Sequence, residues 1–244
     1  MFSPLEQFEV IPLFFFKSIF VFTNSSFFLF VVVFISTFIF FVTNFDNSIV
    51  PNKWQVVSEM IYEFIQKMVT DSVGTSGSKF FPFLFVTFCF VFNCNILGMI
   101  PYSFTVTSHI VFTFSLGMMT FLGLNIIGLR NHGFHFFSLF LPPGSPLILA
   151  PLLVPIELIS YIFRVFALSV RLFANMMAGH TLLKILATFA WKMLSFGGIF
   201  LFLQVIPVTI IIAITGLEIA IAFLQAYVWT TLVCLYLHDV LHLH

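Results

Sequence analysis

Fifty consecutive residues, Phe80 to Leu129, contain no Lys, Arg, Asp or Glu. Soluble domains average about 25% charged residues, so an uncharged run of this length has no place in a water-facing fold. It is long enough for two helical crossings of a bilayer, at about 20 apolar residues each, with one tight connection between them. Pro101 and the polar run SFTVTSH, ending at His109, mark that connection. Residues 80–100 and 108–129 therefore read as the legs of a transmembrane hairpin, with Arg130 and His132 at its far end. Asn93 and Asn95 fall inside the first leg, where amide side chains are expected to hydrogen-bond to neighbouring helices rather than to hold a ligand.

The rest of the chain divides at its charges, prolines and glycines. Between Lys17 and Asp46 lie 28 uncharged residues, so 18–45 is expected to be the first crossing. In 51–69, Trp54, Val57, Ile61, Phe64, Ile65 and Met68 recur at helical spacing, with Lys53, Glu59, Glu63 and Lys67 elsewhere on the helix. Such a segment lies on the membrane surface or against a partner helix, and Asn52 with Gln55 has the form of a capping box. A polar loop with Gly74 and Gly77 follows. Residues 131–155 hold five prolines (Pro142, Pro143, Pro146, Pro151 and Pro155), a composition that argues against regular helix there. Residues 156–195 lack proline, and as one helix would reach about 60 Å, twice the ~30 Å hydrocarbon core. That helix must tilt, bend or break at Gly179. Residues 208–241 give a second one of about 50 Å, and a turn near Gly197 and Gly198 lets the two run antiparallel. The expectation is an all-α integral membrane protein, residues 1–244 forming one membrane domain with 156–241 as a long tilted helix pair.

Composition narrows the partners. The chain is 61% apolar and 7% charged, and its nine Lys plus Arg balance nine Asp plus Glu. With no basic run or tail, nothing points to nucleic acid or to an acidic partner; the bilayer itself is the expected environment. Thirty-nine Phe exceed any physical need and suggest an AT-rich genome, hence an organelle. Glu6, Glu9 and Lys17 give the first residues the wrong charge order for a secretory signal. Cys89, Cys94 and Cys234 lack metal or redox spacing and read as small apolar fillers. The spacing of His238, His242 and His244 suits a metal, but a C-terminal tail more often leaves such residues solvated.

Function is written in two polar stripes. Glu157, Arg164 and Arg171 stand seven residues apart in one long apolar segment, and Glu218, Gln225 and Asp239 are spaced by seven and fourteen in the next. Seven residues is nearly two helical turns, so each set follows one face with a drift of about 20° per step. A charge at mid-membrane costs roughly 2.5–3.5 kcal/mol on insertion scales, and two helices that carry such stripes point to an ion or proton pathway. Arg164 is placed to pair with Glu157 in a supporting role. Asn175, one turn beyond Arg171, is placed to orient the guanidinium. His180 lies nine residues from Arg171, about 180° around the helix, and so off the Arg171 face. Two other classes are consistent with composition alone: a channel or secondary transporter working without a rotor, which calls for broken helices or repeats, and a haem-binding redox subunit, which calls for facing His pairs. The sequence contains neither pattern.

The motifs SVRLFANMMAGHTLLKIL (169–186) and GLEIAIAFLQAYV (216–228) resemble subunit a of the F-type ATP synthase, the static proton-conducting component beside the rotating ring of c subunits. PLEQFEVIPL (4–13) and the 80–109 stretch resemble the mitochondrial form, so the likeness covers essentially the whole chain. Bacterial relatives typically exchange the residue types found here at His180 and Glu218. The resemblance implies a multi-pass protein of the mitochondrial inner membrane that contacts the c-subunit ring, the peripheral stalk and other membrane subunits. It implies no cofactor, no metal and no chemistry on this chain. It implies further that Arg171 is a charge barrier facing the ring carboxylate and that Gln225 lies near it. His180, Glu218 and Asn175 would line the intermembrane-space entrance, and Glu157 and Asp239 the matrix exit.

Overall fold

The computed structural model describes residues 4–16, 20–43, 51–100, 103–140, 150–198 and 200–241. After a short 3-10 turn at Pro4–Phe8, strands β1 (Pro12–Phe16) and β2 (Phe20–Thr23) pair antiparallel, with Pro12 opposite Thr23 and Phe16 opposite Phe20. Among the described residues seven α-helices follow: α1 (Asn24–Thr43), α2 (Lys53–Val73), α3 (Phe81–Gly98), α4 (Ile110–His132), α5 (Ala150–Phe196), the short α6 (Phe200–Leu203) and α7 (Val205–Leu241). Apart from the small hairpin this is an all-α membrane protein, and five of its helical segments are long and apolar enough to cross a bilayer.

Three features differ from expectation. The first crossing starts at Asn24, because 20–23 extend into β2 and Asn24 closes the hairpin: its Oδ1 accepts from Ile11 N at 3.3 Å and its Nδ2 donates to Glu9 O at 3.1 Å. At α2, Asn52 has the extended backbone of an N-cap but makes no side-chain capping bond. Gln55 instead donates to Glu59 Oε1 at 3.0 Å, so no capping box forms. The third difference is the proline-rich break, which ends earlier than position 156. Helix α5 already includes Pro151 and Pro155. Pro151 sits in the first turn, where backbone N–H groups have no helical acceptor, so its missing donor costs nothing there. The loop at 44–50 and Pro101, Pro142, Pro143 and Pro146 lie outside the described residues.

The helices pack around the second half of α2 and the buried side of α7. Ile65, Leu84, Val91, Leu172, Trp229 and Val233 form the centre of that core, each almost wholly buried. Cys89, Cys94 and Cys234 are buried free thiols that fill space in it. The start of α2, by contrast, leaves Trp54 uncovered. Much of the outward surface of the crossing helices is apolar, with Phe30, Phe34, Val111, Ile126 and Ile212 among its exposed side chains, as suits a lipid-facing surface. The two asparagines of α3 do hydrogen-bond across helices: Asn93 Nδ2 donates to Ser36 Oγ at 2.9 Å and Asn95 Nδ2 to Ala222 O at 3.4 Å.

Helix α5 is unbroken through Gly179. At 47 residues it measures about 70 Å, so it can fit a ~30 Å core only by lying obliquely or curving. Gly197 and Gly198 have φ of 65° and 62°, a left-handed pair that reverses the chain and brings α7 back along α5. The antiparallel pairing shows in its contacts, which run from Gly179 with Glu218, through Asn175 with Gln225, to Arg164 with Asp239.

Candidate functional site

The site follows from the α5/α7 pairing. At one end, Met99, Asn175, Gly179, His180, Leu217 and Glu218 help to line a cavity of about 280 Å³. Glu218 is 7% exposed, and neither carboxyl oxygen has a hydrogen-bond partner among the described residues; the same holds for His180 Nε2. Glu218 packs closely against Gly179, where a Cβ would force its carboxyl group to shift. Carboxyl and imidazole are both proton-exchanging groups, and here they share one cavity between α5 and α7. His180, Asn175 and Glu218 thus line the same cavity.

Between the ends lies Arg171. It is exposed on the outer surface of a membrane-crossing helix and makes no ion pair among the described residues. Its neighbour Leu172 is fully buried, so this turn of α5 has one side in the core and the guanidinium on the other. Asn175, the residue expected to orient Arg171, has its amide nitrogen engaged on α7. Asn175 Nδ2 donates to Gln225 Oε1 at 2.9 Å, so both amides are engaged with each other across the helix pair. Gln225 is therefore held one turn from Arg171 through Asn175 rather than by the guanidinium itself.

At the other end Arg164 is caged. Glu157 lies 3.7 Å away along α5 and Asp239 3.5 Å away on α7. The rings of Tyr161 and Tyr236 sit 5.8 and 5.3 Å from the guanidinium carbon, within cation–π range. Tyr161 in turn donates to Asn125 Oδ1 on α4 at 2.9 Å, which ties a third helix into the cluster. Pairing of Arg164 with Glu157 was legible from spacing. The Asp239 bridge and the two tyrosines were not, because they depend on the α5/α7 register. His238 lies beside Asp239 at 3.9 Å, while His242 and His244 are outside the described residues.

Sequence reasoning treated Gly179 only as a weak point, gave Asn95 only an interhelical hydrogen bond, and passed over Trp229. These last two are wholly buried and each carries a polar atom, Oδ1 and Nε1, with no partner among the described residues. The available signal was an amide inside an uncharged span.

A sequence profile of the ATP synthase A chain family matches residues 25–238. The chain is 54% identical to the ATP synthase subunit a of Chondrus crispus over 245 residues, covering 99% of this chain and 97% of that one. It is 51% identical to the ATP synthase subunit a of Marchantia polymorpha over 249 residues, with 99% of each covered. The protein of the same name from Rhodospirillum rubrum is 46% identical over 247 residues and the full length of both.

Proposed function

The chain belongs to the ATP synthase A chain family, whose members are the membrane-sector subunit a of F-type ATP synthases, and on that premise we propose that it carries protons to and from a ring of c subunits through two offset half-channels. It works with the other subunits of an ATP synthase, in the mitochondrial form that its plant and algal relatives fit. The membrane is proposed to be the mitochondrial inner membrane. The cavity with Glu218, His180 and Asn175 is the proposed entrance from the intermembrane space, and Glu157 with Asp239 the proposed matrix exit.

The observation that carries this reading is the position of Arg171. It is a permanent cation on the outer face of a membrane helix, without an acidic partner among the described residues, between two clusters of proton-exchanging groups. Arginine does not lose its proton in proteins, so Arg171 cannot relay one and serves as a barrier between the lanes. A ring carboxylate arriving beside it is favoured in its ionised form and releases its proton toward the exit. Before that carboxylate re-enters lipid it must take a proton from the entrance side, because an unpaired charge in hydrocarbon is costly. Each charge moved through a 100 mV potential contributes about 2.3 kcal/mol.

Arg171→Ala in the assembled, vesicle-reconstituted enzyme tests this. Coupled ATP synthesis should disappear while the complex still assembles. Full coupled synthesis by that variant refutes the assignment.

A further inference from the structure

Next to the entrance cavity, α3 and α7 hold a set of buried polar atoms. Glu218, Asn95 and Gln225 are 7%, 0% and 4% exposed. Both Glu218 oxygens, Asn95 Oδ1 and Gln225 Nε2 have no hydrogen-bond partner among the described residues. Asn95 is anchored at its other end, where Nδ2 donates to Ala222 O at 3.4 Å. Ala222 lies one helical turn after Glu218 and three residues before Gln225, on the same buried stripe of α7. That anchor sets Asn95 between the two. Met99, which caps the end of α3 one turn beyond Asn95, lines the cavity itself, so the end of α3 leads from the cavity down to Asn95.

Leaving a buried donor or acceptor unpaired costs about 1–3 kcal/mol, and buried polar groups almost always find a protein or water partner. This set holds both signs, acceptors on Asn95 and Glu218 and a donor on Gln225. Glu218 and Gln225 are separated by seven residues, about 10 Å along the axis, too far to bond directly. Water supplies two donors and two acceptors and commonly makes about three bonds at such sites.

We propose that Asn95 is a water-holding residue of the entrance lane, keeping solvent between Glu218 and Gln225. The proposal rests on Glu218 lying in the proton path. It makes α3 a third wall of that path, opposite Asn175, which lines the cavity and also bonds Gln225. Asn95 neither gains nor loses a proton; it positions the water along which one moves.

The test compares proton flux, driven by an imposed potential, in vesicles holding ATP synthase with the native chain, Asn95→Leu, Asn95→Ser or Glu218→Gln. Asn95→Leu should lower flux about tenfold, and Asn95→Ser, which keeps a small polar group, should recover at least half of it. Native flux in Asn95→Leu, or a Ser variant as impaired as the Leu variant, overturns the proposal, since the latter marks a packing role. If Glu218→Gln alone is silent, the entrance assignment falls and this inference with it. If Glu218→Gln is impaired while Asn95→Leu is silent, only the inference falls. Independently of variant assembly, a map of the native complex that resolves ordered solvent should place density within about 3.2 Å of Asn95 Oδ1, and a dry apolar contact there sinks the idea.

Discussion

Gly179 and Glu218 are fitted to each other across the α5/α7 interface: a Cβ at 179 would strike Glu218 Oε1 and lie 3.0 Å from its Cδ. The glycine is therefore what lets the carboxyl occupy the cavity. Gly179→Ala is expected to push Glu218 aside and slow proton flux severalfold, although alanine favours helix by about 1 kcal/mol. Shortening the acid in a Gly179→Ala/Glu218→Asp pair should return part of the rate. Native flux in the single variant would show that the contact has no bearing on conduction.

Asn175→Leu removes the donor to Gln225 Oε1. Gln225 is almost fully buried, so its orphaned oxygen should cost about 1–3 kcal/mol. The expected result is a lower thermal midpoint of the assembled enzyme together with reduced flux. An unchanged midpoint would mean that the amide pair is not held as described.

At the opposite end, Arg164→Gln breaks two ion pairs whose side chains are 31–48% exposed. Partly exposed pairs contribute about 0–1 kcal/mol each, so stability should fall by no more than ~2 kcal/mol while proton release on that side slows. Arg164→Lys restores the charge but not the planar stacking on Tyr161 and Tyr236, so it should recover the rate only in part. Failure of the Gln variant to assemble would contradict the modest figure.

His109 lies in the connection between α3 and α4, its ring tilted against that of Phe104 at 5.1 Å between centroids, in a cavity it shares with Glu6 and Glu9. Burial holds its pKa below the ordinary 6.5. A base depressed on folding stabilises the fold above its unfolded value, and that contribution is lost as pH falls through about 6.5 and below. Thermal stability of the complex should therefore decline from pH 7 to pH 5, less steeply in His109→Phe. Equal slopes would assign the decline to other groups.

The crossings and the two stripes were legible because lipid enforces them: an uncharged run of fifty residues and charges at heptad spacing admit few other readings. Which residues meet across α5 and α7 was not, since register is set by the Gly197–Gly198 reversal and by close packing at Gly179. Periodicity put Asn175 beside Arg171 along one helix, but the partner that claims its amide stands fifty positions away. The hairpin of β1 and β2 was hidden by the same apolar composition that announces α1, because Phe and Val serve strand and membrane helix alike.

A sharp bend in a helix ordinarily needs an internal proline, a glycine–serine pair or a π-bulge. Beyond its first turns α5 has no proline, and it passes Gly179 without interruption. A sideways load at Arg171 then meets a beam with no hinge at the point of application. Any torque from a moving neighbour is spread along its length and shared with α4 and α7, which makes stiffness, as much as charge, a property of this wall.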